Sequence, residues 1–134
     1  MKPVFQTRFG YPHGNCFAAC VATLLERKIE EVWEGDDLDA TMQDNRAWWS
    51  GWRTWLNSQG YDLVHVNDGA WFMPPKGYAI ANGIAKNGEV RHAVIVLDGK
   101  LIHDPHPGWK GLKKVESYVV IYPTRLAMVP NGSG

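Results

Sequence analysis

Cys16 stands where a nucleophilic thiol is expected, because it follows the bend-rich loop 10–15 and opens a segment with helical periodicity. The first turn of a helix stabilises a thiolate through its unpaired N–H groups and the positive end of the helix dipole. Such a nucleophile also needs an imidazole within hydrogen-bond reach and a third group that orients the ring. His92 and Asp104 are the candidates for these two roles. Together the three residues indicate acyl transfer through a covalent thioester intermediate.

Each of these residues also has a purely structural interpretation. An isolated intracellular cysteine is more often a small buried hydrophobe than a reactive group. His92 opens an otherwise apolar strand pattern, where a histidine also serves as a hydrogen-bonded edge residue. Cys20 lies one helical turn after Cys16, so it is expected inside the helix and structural. The case for chemistry therefore rests on the combination of Cys16, His92 and Asp104.

Two helices are predicted in the first half of the chain. The first begins after Asn15, which is a good N-cap, and its apolar residues recur at spacings of three and four. The second is indicated by a capping-box-like pattern at Thr41–Asp44 and by a natural stop at Gly60. Its apolar stripe consists of Trp48, Trp49, Trp52, Trp55 and Leu56. Both helices therefore need a large apolar surface to pack against.

After Gly60 the periodicity changes to short runs of β-branched and aromatic residues separated by Gly, Pro, Asn and Asp. Helices followed by consecutive strands favour an α+β fold, with the N-terminal helices packed on an antiparallel β-meander. The predicted strands are Tyr61 to Val66, Tyr78 to Ile84, Val90 to Leu97, Lys100 to His103 and Val115 to Tyr122.

The turn at Asp98-Gly99 decides whether the proposed acid can reach the proposed base. If Leu97 pairs directly with Lys100, Asp104 opposes Ala93 and points to the wrong face. If a three-residue loop with a bulge pairs Leu97 with Leu101 instead, Asp104 opposes Val94 and shares a face with His92. Catalysis requires the second register, and the sequence leaves both open.

Composition bounds the remaining possibilities. The chain has 134 residues with 45% hydrophobic side chains, which suits one domain, expected over residues 1–130 with a flexible tail at 131–134. Its 14 basic residues balance its 14 acidic ones, so the charge signature of a nucleic-acid binder is missing. No signal-peptide core and no membrane-spanning run is present. We therefore expect a cytoplasmic protein whose two cysteines are thiols.

The segments around these three residues resemble the papain-like cysteine peptidase superfamily. They are Gly14-Asn-Cys16-Phe-Ala-Ala-Cys20, His92-Ala-Val-Ile-Val-Leu and His103-Asp104-Pro105, and they look most like the bacteriocin-processing (double-glycine) peptidases and their small bacterial or phage relatives. The resemblance implies a papain-like fold, a peptide or protein substrate, no cofactor, and a glutamine that helps to bind the oxyanion. Gln6 is the natural candidate, although it lies ten residues before Cys16 instead of the usual six. His13 and Asn15 are its possible substitutes.

Other residues are candidates for binding. Trp71 and Trp109 are candidates for lining a substrate groove or a partner surface, and His106, His13 and Asn15 are candidates for contact with substrate. A metal site drawn from Cys16, Cys20, His92, His103 and His106 is disfavoured, because Cys-x3-Cys on one helix is not a common zinc spacing. The alternatives kept open are a cell-wall amidase or peptidase of the same superfamily, and a non-catalytic protein-binding module, possibly phage-encoded, that acts on a host protein.

Overall fold

The computed structural model describes residues 1–9, 14–33, 46–67, 73–88 and 90–124. Within these ranges the chain forms two α-helices followed by a five-stranded antiparallel sheet, which confirms the α+β prediction. The helices are α1 (Cys16–Leu25) and α2 (Arg46–Ser58), with a short 3-10 turn at Ile29–Glu31 between them. The strands are β1 (Tyr61–Asn67), β2 (Tyr78–Ala85), β3 (Arg91–Leu97), β4 (Lys100–His103) and β5 (Leu112–Pro123).

The strand order differs from the simple meander that was expected. The order across the sheet is β1-β5-β2-β3-β4, so only β2, β3 and β4 form a meander. After β4 the chain returns across the sheet, and β5 inserts between β1 and β2 and pairs with both. β5 is the longest described strand, with twelve residues, and this length allows it to pair with β1 over residues 117–123 and with β2 over residues 112–119. Local patterns predict strands but not their partners, which is why the sequence missed this crossover.

The main core lies between the helices and one face of the sheet. Phe17 of α1 makes edge-to-face contacts with Trp48, Trp49 and Trp52 of α2, with ring centroids 5.0–5.4 Å apart. Trp52 and Leu56 are fully buried, whereas the other members of the predicted stripe are partly buried against the same core. Burying rings of this size contributes strongly to stability. A second cluster on the opposite face of the sheet contains Ala79, Ala81, Val94, Val96 and Tyr118.

Helix α1 begins directly after Asn15, as predicted, but the reason differs from the one expected. The Asn15 side chain makes no capping hydrogen bond to the helix, and it binds the preceding segment of the chain instead. The helix ends at Leu25, where Glu26 adopts a left-handed conformation with φ 57°. No helix in the described ranges is long and apolar enough to cross a membrane. The predicted capping box at residues 41–44 and the predicted tail at residues 131–134 lie outside the described residues.

Candidate active site

Cys16 is the first residue of α1 and is half-buried, while the seven residues that follow it are all buried. Its sulfur therefore sits at the positive end of the helix dipole and next to the surface. Cys20, one turn later, is fully buried and its thiol is free, like that of Cys16. Burial raises the pKa of the Cys20 thiol well above its ordinary value, and the charges of Cys16 and Asp104 raise it further. Cys20 consequently stays protonated and packs as a small apolar side chain.

His92 is the second residue of β3, and only 3% of its side chain is exposed. Its Nε2 atom lies 2.7 Å from Oδ1 of Asp104 and donates a hydrogen bond to that oxygen. This bond leaves Nδ1 as the ring nitrogen that can hydrogen-bond the Cys16 side chain, and such an interaction contributes to the charge state of His92. The ring is thus held between the carboxylate and the thiol, as a general base and acid requires.

Asp104 follows β4 and accepts three hydrogen bonds, all from N–H groups. Besides His92 Nε2, Oδ1 accepts from the backbone N–H of His106 at 2.8 Å, and Oδ2 accepts from the backbone N–H of Gly111 at 2.9 Å. Burial alone would raise the pKa of the Asp104 carboxyl. The hydrogen bonds from His92, His106 and Gly111 and the charge of His92 outweigh burial, so the pKa is lowered from 3.8. Asp104 is therefore a fixed carboxylate at neutral pH.

The charge state of His92 follows from the same contacts. Burial lowers the pKa of the imidazole, but hydrogen bonding to Asp104 and to Cys16, together with the charges of both partners, raises it to about 9. His92 consequently carries a proton at neutral pH and presents an imidazolium to the Cys16 sulfur.

A β-bulge in the β3–β4 hairpin brings Asp104 to the face of His92. Asp98 and Gly99 both have positive φ angles, 52° and 84°, and form a two-residue turn that pairs Leu97 with Lys100. The next pair is Val96 with Leu101, but Ile95 then pairs with His103, so Ile102 is an extra residue. This shift by one places Asp104 opposite Val94 and on the face of His92. The turn is the one expected to prevent catalysis, and the bulge, which lies beyond the turn, restores the required register.

Gln6 is buried beside the same hairpin, although it is distant from Cys16 in the sequence. Its backbone N–H donates to the carbonyl of Pro105 at 3.0 Å, and its side-chain Nε2 donates to the carbonyl of Arg8 at 2.8 Å. The backbone N–H of Asn15 donates to that same Arg8 carbonyl at 3.2 Å. The Arg8 carbonyl oxygen thus accepts hydrogen bonds from both Gln6 Nε2 and the backbone N–H of Asn15, the residue before Cys16. Its Oε1 atom is buried and has no hydrogen-bond partner.

Asn15 ties the start of α1 to the segment that carries Gln6. Its Oδ1 atom accepts from the backbone N–H groups of Thr7 at 3.0 Å and Arg8 at 2.9 Å, and its Nδ2 donates to Oγ1 of Thr7 at 2.9 Å. Asn15 is itself only 3% exposed. Asn15 therefore occupies the N-cap position, as predicted, but its side chain makes no capping bond, because it bonds to Thr7 and Arg8 instead.

An aromatic group covers the outer side of His92. The ring of His106 stacks on Trp109 with centroids 3.8 Å apart and an interplanar angle of 3°, and Trp109 makes an edge contact with His92 at 5.1 Å. Phe9 packs edge-on against His106 at 4.9 Å and is 51% exposed. The sequence indicated Trp109 and His106, whereas the position of Phe9 depends on long-range packing and gave no signal.

The remaining predicted residues lie elsewhere. Nε2 of His103 donates to the carbonyl of Val4 at 2.7 Å, so this histidine fixes the N-terminal segment against β4. His13 and Trp71 lie outside the described residues. Within the described ranges no group of three or more His, Cys, Asp and Glu side chains is arranged to hold a metal ion. Sequence reasoning also missed Gly111 and Pro105, which act through their backbone atoms and leave no pattern of side chains.

The function of this site has to be inferred from its geometry and chemistry, because comparison with known proteins gives no match. No protein-family model, no curated protein and no solved structure matches the chain.

Proposed function

We propose that this chain is a cysteine hydrolase of papain-like type, which cleaves an amide or thioester bond through Cys16, His92 and Asp104. One observation carries the proposal: a buried imidazole is held at Nε2 by a carboxylate 2.7 Å away while it interacts with a thiol at the start of a helix. An isolated structural histidine has no need of both partners. A nucleophile, a general acid–base and an orienting group are the parts that acyl transfer requires.

The proposed reaction begins when the Cys16 sulfur attacks the substrate carbonyl carbon and its electron pair moves to the carbonyl oxygen. The oxyanion is stabilised by the backbone N–H of Cys16 and by the second hydrogen of Gln6 Nε2, since only one is needed for the bond to Arg8. As the tetrahedral intermediate collapses, His92 gives its proton to the leaving amine or thiol. Water then attacks the resulting thioester, His92 takes up a proton from it, and release of the acid regenerates Cys16.

Asp104 contributes by position and charge, not by exchanging a proton. Its three hydrogen bonds fix the carboxylate, which in turn keeps the proton of His92 on Nε2 and directs Nδ1 towards Cys16. Trp109 covers the ring and limits the access of water to the pair. The proposed reaction requires no cofactor.

The test compares the two cysteines, because Cys20 is an internal control of the same residue type. Wild type, Cys16→Ala and Cys20→Ala are each incubated with a panel of peptides that carry an electrophilic C-terminal group, and the intact mass is measured. We expect one adduct per chain in wild type and in Cys20→Ala, and none in Cys16→Ala. The same Cys16→Ala variant should keep nearly the same melting temperature, since its side chain is half-buried.

A second measurement decides between catalysis and binding alone. If Cys16 reacts with iodoacetamide at pH 7 no faster than free cysteine does, and no peptide forms an adduct, the hydrolase proposal is wrong. A non-catalytic binding module on the same scaffold would then be the better interpretation. Adducts that form only with cell-wall stem peptides would instead identify the enzyme as an amidase or peptidase of peptidoglycan.

A further inference from the structure

Four exposed basic side chains gather at the end of the sheet that carries the catalytic pair. They belong to Lys86, Arg91, Lys110 and Lys114, and we call this set the basic rim. Ile84 of β2 pairs with Arg91 on one side and with Lys114 on the other, so these two side chains flank the same position of the sheet. The backbone N–H of Lys86 donates to the carbonyl of Gly111 at 3.0 Å, which places Lys86 beside Lys110.

The basic rim is joined directly to the site. Arg91 precedes His92 in β3, and Gly111, which lies between Lys86 and Lys110, donates its N–H to Asp104 Oδ2. A polypeptide that extends from Cys16 past Asp104 and Gly111 therefore reaches the basic rim. Charges placed at the mouth of a cleft raise the local concentration of a ligand of opposite sign and speed its association.

In the described part of this end of the sheet, basic side chains outnumber acidic ones. Among the described residues 84–88, 90–92 and 108–116, Glu116 is the only acidic one, against five basic residues. Glu116 is the extra residue of a bulge in β5, and its carboxylate pairs with Arg91. Lys113, the fifth basic residue, has a partner of its own. Since the whole chain has no net charge, the excess among these described residues is local.

We propose that the basic rim binds an acidic segment of the substrate polypeptide, next to the bond that is cleaved. That the bound polypeptide is a substrate rests on the proposed function. That the bound segment is acidic rests on the positive charge of the basic rim. A polypeptide fits better than a nucleic acid, because nucleic-acid grooves alternate cations with aromatic rings on which bases stack. Here one face of Trp109, the aromatic ring nearest in sequence to Lys110, is already occupied by His106.

The experiment measures binding without turnover, using the Cys16→Ala variant. Two fluorescein-labelled decapeptides serve as probes, one of alternating Glu and Ser and one of alternating Lys and Ser, and a labelled 20-nucleotide oligothymidylate is the third. Fluorescence anisotropy in 0.1 M NaCl should show binding of the Glu peptide and none of the Lys peptide. Raising NaCl to 1 M shortens the screening length from about 10 Å to about 3 Å, so binding should weaken at least about tenfold.

Charge reversal provides the matched comparison. Lys86→Glu combined with Lys114→Glu should weaken binding of the Glu peptide at least about tenfold, since one exposed ion pair accounts for roughly two- to fivefold. Lys28→Glu combined with Lys100→Glu makes the same change of charge away from the basic rim and should leave binding within about twofold. Equal losses in the two double variants, or tighter binding of the oligothymidylate than of the Glu peptide, would overturn the inference.

The outcome separates this inference from the proposed function. Cys16→Ala cannot turn over, so binding of the Glu peptide supports the basic rim even if wild type proves to have no hydrolase activity. Conversely, if wild type is an active hydrolase but the Glu peptide does not bind, the proposed function stands and the inference of an acidic substrate segment is wrong.

Discussion

Replacement of Asp104 by Asn separates the charge of the carboxylate from its role in orienting His92. Asp104 accepts two N–H groups at Oδ1 and one at Oδ2. An amide oxygen at the Oδ1 position keeps the bonds from His92 and His106 and turns the new NH2 group towards the Gly111 N–H. The flipped amide would face two donors with its NH2 group, so the first orientation is favoured. The Asp104→Asn variant should therefore hold the ring of His92 in place while removing the negative charge.

The expected cost in stability is that of one unsatisfied buried donor. Leaving the Gly111 N–H without an acceptor costs about 1–3 kcal/mol, which for a domain of this size corresponds to a melting temperature lower by roughly 3–15 °C. Asp104→Ala leaves three donors without acceptors, and by the same estimate costs about three times as much. Asp104→Asn is therefore the variant in which a folded protein can be assayed.

The pH dependence of kcat/KM is the decisive measurement. His92 must be protonated to supply the leaving group with a proton, so in wild type kcat/KM should fall as the pH rises through about 9. The hydrogen bond and the charge of Asp104 are causes that raise this pKa, and burial lowers it. In Asp104→Asn the alkaline limb should consequently move down towards 6.5, the ordinary value.

The loss of rate follows from the protonated fraction. A pKa of about 9 leaves His92 almost wholly protonated at pH 7.5, whereas a fall to the ordinary value of 6.5 would leave about one tenth of it protonated, so kcat/KM should fall by up to about tenfold at that pH. At pH 6 the two proteins should differ much less. An alkaline limb that stays near pH 9 in a folded Asp104→Asn protein would refute the assignment of Asp104 as the partner that keeps His92 charged.

Two further substitutions test the scaffold around the site. Asn15→Ala removes the acceptor of the Thr7 and Arg8 N–H groups and should lower the unfolding free energy by about 1–3 kcal/mol for each of these two donors. It should also lower kcat/KM, because Arg8 holds Gln6. Asn15→Asp retains both acceptor bonds, so thermal melting and steady-state kinetics should show smaller losses of stability and of activity. Trp52→Ala deletes a fully buried ring and should cost about 3–5 kcal/mol in urea unfolding; a loss below about 1 kcal/mol would contradict the packing of α2 against Phe17.

The elements could be predicted from local patterns because those patterns reflect burial on one face. The predicted bounds of β4 agree with the observed ones, and those of β3 differ by one residue. β5 starts three residues before the predicted Val115, and the reason is physical. Its pairing with β2 skips Lys113 and Glu116, so two bulges interrupt the alternation that identifies a strand. Residues 112–114 therefore lack a strand pattern although they pair with β2.

The contacts that depend on long-range packing could not be predicted. Asn15 is a residue type that often caps helices. Its side chain has a different role here only because the chain folds so that the N–H groups of residues 7 and 8 donate to it. The same folding places the Gln6 side chain on the Arg8 carbonyl, which also accepts the Asn15 N–H, although Gln6 lies ten positions before Cys16. Both residues were candidates from the sequence, but their partners are backbone groups of another segment. Backbone groups are chemically the same at every position, so no residue type marks them.

A single extra residue in β4 links the register of the hairpin to the proposed chemistry. Side chains alternate between faces along a strand, so a shift of one position exchanges the two faces of everything beyond it. Without the bulge at Ile102, His103 would take the face of His92, and Asp104 would lie with Ile95 on the face where Val4 now binds His103. The carboxylate would then lose His92, and His103 would lose the Val4 carbonyl. The two contacts require the same register, so the N-terminal segment that carries Gln6 and the hairpin that carries Asp104 stabilise each other.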